Sequence, residues 1–466
     1  MDRNTWIALG AMALGVFVIA NDFTALSVAI PEIEHDLSTS LTKAQWVING
    51  YALVFGVLIV TGGRLADLFG RKRVFMVGAS VFAAFSLVAG LVPGVGLLIT
   101  ARMLMAIGGA LMWPAILGMT YALLPDSKAG LAGGIILGVA GLGNAVGPML
   151  GGFLTDELSW RWVFFVNLPI AAFAMFVTAR KVPESRDAGA QRHIDYGGIA
   201  LVSTAIVLIL VGLDEGSTEG FGSLPILALF VIGAVLLVAF FRFERRQGDG
   251  ALVPSDVLHD RVFAAACLAT LLMSAIFFSA LLYVPQFFEK ILGYSALQSG
   301  AGLLPLMGVF AATSFVAGSL YNRVGGRLVV AVGAACLGVG ILLLSFVDAE
   351  SGYGAFVPGM IVLGVGVGLF YSAVTTIAVT SLDPSRSSLA GGIVYMCQIA
   401  GGAVGLGLNT ALVTSASSLA DGISLAFKVD AALALVGFVV VVAFIGTTAP
   451  AEGHPRALRW RHRAHA

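Results

Sequence analysis

Fourteen stretches of this chain are almost purely apolar, and its polar residues gather in the short gaps between them. The stretches fall at about 6–30, 44–62, 74–92, 97–120, 130–154, 161–179, 196–213, 223–241, 262–287, 298–321, 328–347, 354–380, 387–414 and 429–447. Each runs to about 20 residues or more, the length at which an α-helix crosses the hydrocarbon of a bilayer. None shows the alternation over about ten residues that marks a membrane β-barrel strand. The pattern predicts an all-α integral membrane protein with fourteen transmembrane helices.

The gaps decide the orientation. Lys43, Arg161, Lys290 and Lys428 lie on one side of the membrane and Arg102 lies inside a span, while the other 21 of the 26 Lys and Arg lie on the side that holds the N-terminus. Loops in the cytoplasm carry the excess of Lys and Arg. Both termini are therefore expected in the cytoplasm, which requires an even number of spans. No small-residue cleavage site follows the first apolar stretch, so it is expected to remain as a span of the cell (inner) membrane.

Composition narrows the function classes. The chain is 58% hydrophobic and 11% charged, whereas ordinary soluble domains carry about 25% charged residues. Its net charge is zero, which offers no basic surface to nucleic acid. All six His lie in loops or the tail, and no H-x-x-x-H spacing falls within a span. Neither a metal, a cofactor nor an enzymatic constellation is expected. Cys267, Cys336 and Cys397 sit in apolar runs and read as reduced thiols.

Charge is densest in Gly63-Arg64-Leu65-Ala66-Asp67-Leu68-Phe69-Gly70-Arg71-Lys72-Arg73. Such a knot is expected as a tight loop after the second span, with glycines that permit the turn. A degraded copy follows 255 residues later, where Gly63, Leu65 and Gly70 recur as Gly318, Leu320 and Gly325. There Asn322 replaces Asp67 and Arg327 replaces Lys72. A motif repeated at matching places predicts a duplicated transporter. Since the copy follows the tenth span, two helices interrupt the repeat. The expected division is a six-helix bundle over 1–181, two additional helices with flanking loops over 182–260, and a second six-helix bundle with a short tail over 261–466.

Charge inside a span is expensive and marks function by default. Asp22 and Arg102 lie about 13 Å and about 8 Å below the outer ends of their spans, at about 1.5 Å per residue. They are expected to approach each other, with Asp22 as the proton-coupling site and Arg102 tuning it. Asp67 is expected against the exposed N–H groups at the cytoplasmic end of a helix in the opposite half, and Arg71 is expected to pair with Asp126. With Gly63, Gly70 and Lys72 they would latch an outward-open state. In span five, Gly143, Gly147, Pro148, Gly151 and Gly152 predict a hinge at a close helix contact, because small residues let backbones meet in lipid. Phe23, Trp113, Tyr283, Tyr371 and Tyr395 are candidates to line a substrate cavity. Spans ten and thirteen contain no Asp or Glu.

Several of these strings resemble a known family. G-x-L-A-D-x-x-G-R-[KR], from Gly63 to Lys72, resembles the loop signature of the Major Facilitator Superfamily, with Leu68 where Arg is usual. G-x-x-x-G-P-x-x-G-G, from Gly143 to Gly152, resembles the signature of its antiporters. Trp160-Arg161-Trp162 through Asn167 and Pro169 looks like W-R-W-x-F-x-x-N-x-P of the fourteen-span drug:proton antiporters, with Ala171 where Gly is common. Asp22 to Pro31 is similar to their first-span motif, with Ser27 in place of Asn. Arg102 keeps its place in R-x-x-Q-G-x-G, and Met105 and Ala106 depart from it. The resemblance implies a multidrug efflux transporter, which exports hydrophobic or amphipathic small molecules by alternating access and confers antibiotic resistance. Its energy source would be the proton gradient. It would work as a monomer whose partners are substrate, protons and the lipid bilayer. A second reading stays open, a facilitator that moves one small metabolite in or out.

Overall fold

The structure is a computed structural model that describes residues 3–186, 195–220, 222–247, 251–253, 257 and 259–445. Among them there is no strand. The spans are α1 (Arg3–Asp36), α2 (Leu41–Phe69), α3 (Arg71–Leu91), α4 (Val95–Leu123), α5 (Ala129–Glu157), α6 (Trp162–Lys181), α7 (Tyr196–Glu219) and α8 (Leu224–Gln247). They continue with α9 (Arg261–Lys290), α10 (Leu297–Val324), α11 (Gly326–Leu344), α12 (Tyr353–Ser381), α13 (Ser387–Ser415) and α14 (Leu419–Phe444). Among the described residues thirteen helices are long and apolar enough to cross a membrane. The remaining one, α7, offers the apolar stretch Tyr196–Ile209.

The helices overrun the apolar stretches. α1 passes through Pro31 to Asp36, and α14 begins at Leu419, ten residues ahead of the predicted start. The first charge knot is not the loop that its charge density predicted. α2 carries Gly63 to Phe69 as helix, α3 starts at Arg71, and Gly70 alone intervenes with φ 111°. Glycine adopts that region without a Cβ penalty. Charge is tolerated there because protein rather than lipid meets it: Arg64, Asp67 and Arg71 are all buried. The second copy turns in the same way, with Gly325 at φ 89° between α10 and α11. α6 breaks once at Val166, and α10 breaks at Gly302–Leu303.

In the first half α1 packs on α5 and α6, while α4 packs on α2 and α3. In the second half α9 packs on α13 and α14, and α12 packs on α10 and α11. The halves meet along two seams, α2 against α13 and α5 against α10. Glycine makes both seams tight. A Cβ on Gly63 would lie 2.6 Å from the Ser388 carbonyl oxygen, and one on Gly130 would lie 2.5 Å from that of Gly318. Backbone approach of this kind drives helix association in lipid, where apolar side chains gain nothing by leaving hydrocarbon. α7 and α8 pair with each other, and α7 also touches α2 and α13. The α8 face bearing Leu224, Val231, Ile232 and Val235 is exposed, as a lipid-facing helix requires.

Candidate functional site

Asp22 and Arg102 are both fully buried, and they form an ion pair of 2.5 Å between Oδ2 and Nη1. The other carboxylate oxygen accepts from Asn167 Nδ2 at 3.2 Å. Asn167 also donates to Ser86 Oγ at 3.3 Å, and that hydroxyl donates to the Phe164 carbonyl at 2.8 Å. The break in α6 at Val166 places Asn167 at the start of a new helical segment, facing α1. Arg102 Nε donates to the Val47 carbonyl at 3.1 Å, and its guanidinium lies 4.1 Å from the centroid of the Tyr51 ring. Met105, where the family pattern has Gln, brings its sulfur to 3.5 Å from Nη1, a weak acceptor in place of an amide. One acid thus ties α1 to α4 and α6, and Arg102 extends the link to α2. Removing one member of a buried ion pair costs about 3–5 kcal/mol, because the other charge is left uncompensated. The sequence singled out Asp22 and Arg102, gave Asn167 only as part of a motif without its partner, and did not mark Tyr51 or Ser86.

At the first knot Asp67 is 1% exposed, and its Oδ1 accepts from Arg71 Nε at 3.0 Å. It also accepts across the seam, from the backbone N–H of Ser388 at 3.3 Å and of Leu389 at 2.8 Å. These are orphan donors in the first turn of α13, where the helix dipole favours an anion. Arg71 donates to the carbonyls of Gly118 at 3.2 Å, Pro384 at 2.8 Å and Ser385 at 3.1 Å. Its expected partner Asp126 has a side chain outside the described residues. Lys72 Nζ donates to the Ala179 carbonyl, and Glu184 accepts the backbone N–H groups of Lys72 and Arg73. At the second knot Asn322 is exposed, its Oδ1 standing 3.0 Å from where a Cβ on Gly130 would be. Nearby, the hydroxyls of Tyr121 and Thr376 are 3.0 Å apart across the halves.

The small-residue face of α5 lies on α1. Gly143 meets Ala20 and Asn21, and Gly147 meets Thr24. Gly151 meets the carbonyl of Ala25. Gly152 turns instead towards Leu297 of α10, and Pro148 stands opposite Gly300. The helix continues unbroken through Pro148.

Three of the five aromatic candidates come together. Phe23 packs edge-on against Tyr51 at 5.0 Å and Phe55 at 5.4 Å. Tyr395 of α13 reaches across to Phe55 at 5.8 Å and to Trp113 at 4.4 Å. The cluster therefore spans the two halves. Within it Tyr51 Oη and Trp113 Nε1 are buried without a hydrogen-bond partner among the described residues. Tyr371 belongs to a separate group with Phe277 and Phe370, its hydroxyl 2.9 Å from Ser274 Oγ. Tyr283 lies apart, paired with Thr410 at 2.8 Å.

Two repeated helical halves, a polar lock between them and a buried acid–base pair beside an aromatic cluster define a multi-pass membrane transporter. The chain belongs to the Major Facilitator Superfamily, whose family model matches residues 12–347 and 306–463. It is 34% identical over 451 residues to the puromycin resistance protein pur8 of Streptomyces alboniger, which covers 95% of this chain and 89% of that protein. Against the tetracenomycin C resistance and export protein of Streptomyces glaucescens the identity is 32% over 410 residues, 88% of this chain and 76% of the relative. Multidrug resistance protein 3 of Bacillus subtilis is 30% identical over 380 residues, 81% and 73% of the two chains. The fold matches that of the human organic anion transporter MFSD10 (TETRAN), with a TM-score of 0.67 at 13% identity, over 95% of this chain and 100% of that one.

Proposed function

We propose that this protein exports hydrophobic or amphipathic small molecules in exchange for protons, by alternating access between its two halves. The observation that carries the reading is the position of Tyr51. One face of its ring lies under the Arg102 guanidinium, and the ring meets Phe23 of the aromatic cluster. A compound that inserts among Phe23, Trp113 and Tyr395 displaces the ring on which Arg102 rests. Conversely, a proton on Asp22 neutralises the partner of Arg102 and frees the guanidinium. Binding and protonation are thus coupled through one shared side chain, and coupling of this kind is reciprocal. The named roles of the relatives in antibiotic resistance and export support the substrate class.

On this reading the functional unit is a single chain in the cell (inner) membrane. Residues 1–181 and 261–466 are its two moving bundles, and 182–260 is an inserted hairpin with its flanks. Both termini and both knots face the cytoplasm. The knots close that side, and the Gly147–Thr24 and Gly151–Ala25 contacts form the close α1–α5 approach at which α5 hinges. The chain performs no chemical reaction on its substrate.

Substrate-induced proton release from the purified protein tests the proposal, with puromycin as the probe. Asp22→Asn is expected to bind puromycin and release no proton, and Asp22→Glu to restore part of the release. Undiminished release from Asp22→Asn would sink the assignment.

A further inference from the structure

A second acid lies inside the membrane region, and nothing above uses it. Asp430 is fully buried on α14, eleven residues from its start, about 16 Å along the helix. Asn409 of α13 donates from Nδ2 to both carboxylate oxygens, at 3.1 and 3.0 Å. Ser279 of α9 faces the same carboxyl group. Apart from that approach to Asp430, Ser279 Oγ and Asn409 Oδ1 are both buried with no hydrogen-bond partner among the described residues.

The charged groups on every neighbouring helix lie elsewhere. α13 contains no Asp, Glu, Lys or Arg. On α11 the charged residue is Arg327, which donates to the Val442 carbonyl, twelve residues and about 18 Å along α14 from Asp430. Arg261, Glu289 and Lys290 stand at the ends of α9, and Asp421 and Lys428 of α14 are exposed. The titratable group that faces Asp430 is the Tyr283 phenol, whose hydroxyl is held by Thr410 beside Asn409. Asp22 has Arg102, and Asp430 has no such cation among the described residues.

We propose that Asp430, Asn409 and Ser279 form a second proton-binding site, in the half of the protein that lacks Asp22. A buried carboxylate without a positive neighbour is compensated by taking up a proton or a cation. Both protonation states are provided for here. The ionised form receives the two hydrogen bonds from Asn409 Nδ2. When a proton from water adds to a carboxylate oxygen, the new O–H finds an acceptor in Ser279 Oγ or Asn409 Oδ1, the atoms now unpaired. In both states the carboxyl group itself is hydrogen-bonded, so the proton can exchange without stripping the acid of its partners.

The test uses the full-length protein in lipid nanodiscs, without substrate, so that its result is independent of the Asp22 experiment. Protons released on an alkaline step are counted with a dye, and the C=O stretching band of protonated carboxyl groups is followed by infrared difference spectroscopy. Asp430→Asn is expected to lose one released proton per chain together with one carboxyl band, and Asp22→Asn to keep that band. Asp430→Glu, which preserves a carboxyl, is expected to keep the band at a shifted frequency. A band and a proton count unaffected by both substitutions at 430 would overturn the proposal. So would loss of the wild-type band on replacing potassium with sodium at fixed pH, which would make this a metal-cation site instead.

Discussion

The two charge knots share a backbone and differ in what holds them. Each turns through one glycine of positive φ, Gly70 or Gly325, and each brings a glycine against the opposite half, Gly63 on Ser388 and Gly318 on Gly130. The first adds a buried network in which Asp67 and Arg71 make five hydrogen bonds to α4, α13 and the turn before α13. In the second, the place of Arg71 is taken by Gly326, which has no side chain to offer, and Asn322 is exposed. Its neighbourhood is closed by backbone contact and the neutral Tyr121–Thr376 pair. Duplication has kept the geometry of approach in both copies and the ionic lock in one. A seam held by glycine contact and one neutral hydroxyl pair separates with loss of dispersion and a single uncharged hydrogen bond, whereas the first must also expose or re-pair a buried charge. On the proposed function, the α2–α13 seam is then the costlier of the two to open.

The comparison breaks most completely at Arg71. Arg71→Ala leaves Asp67 buried beside its backbone donors without a cation, a loss of about 3–5 kcal/mol. Export is expected to fall to background, and a cysteine pair placed across the α2–α13 seam should no longer crosslink. Gly318→Leu attacks the second seam, where no Cβ fits against the Gly130 carbonyl. Transport should be lost here too, but crosslinking across α2–α13 should survive, which would separate the two locks. Asp67→Asn is gentler, since the shape is kept and charge-assisted bonds worth about 1.5–3 kcal/mol are weakened. Transport is expected to drop about 10- to 100-fold with surface expression and substrate binding mostly retained, and a wild-type rate would show that the knot sets topology only. The smallest effect is expected from Asn322→Asp, which restores an acid near the first turn of α5. A helix terminus rewards such a charge by about 0.3–1 kcal/mol. The seam should open less often, and the turnover rate should fall about two- to fivefold with unchanged apparent affinity.

Much of this was legible in the sequence, for physical reasons that also explain what was not. The spans, the repeat and the Asp22–Arg102 approach follow from hydropathy and depth counting. Tyr51 and Ser86 did not stand out, and Asn167 stood out only as a motif letter, because a single hydroxyl or amide in an apolar run gives no sign of the partner it meets. Asp430 was hidden by an end effect. The last apolar stretch begins at 429, with Asp430 at its edge, whereas α14 begins at Leu419 and carries that residue deep inside. Hydropathy ends a helix where polar residues begin, yet such residues remain helical when protein satisfies them. The same effect turned the first knot from an expected loop into two helix ends. Of the aromatic candidates, Phe23, Trp113 and Tyr395 converge, and Tyr283 and Tyr371 do not, a difference that only the packing of α9 and α12 decides.

The α7–α8 hairpin makes the flanks of the transporter unequal to the bilayer around it. α7 lies against both α2 and α13, so the latched seam is shielded by protein on that side. The α5–α10 seam has no such cover among the described helices. Compounds that dissolve in a leaflet approach sideways, by two-dimensional diffusion, and not from the water on either face. On the proposed function, the flank covered by α7 is closed to them, and the α5–α10 flank is where they would meet the boundary between the halves.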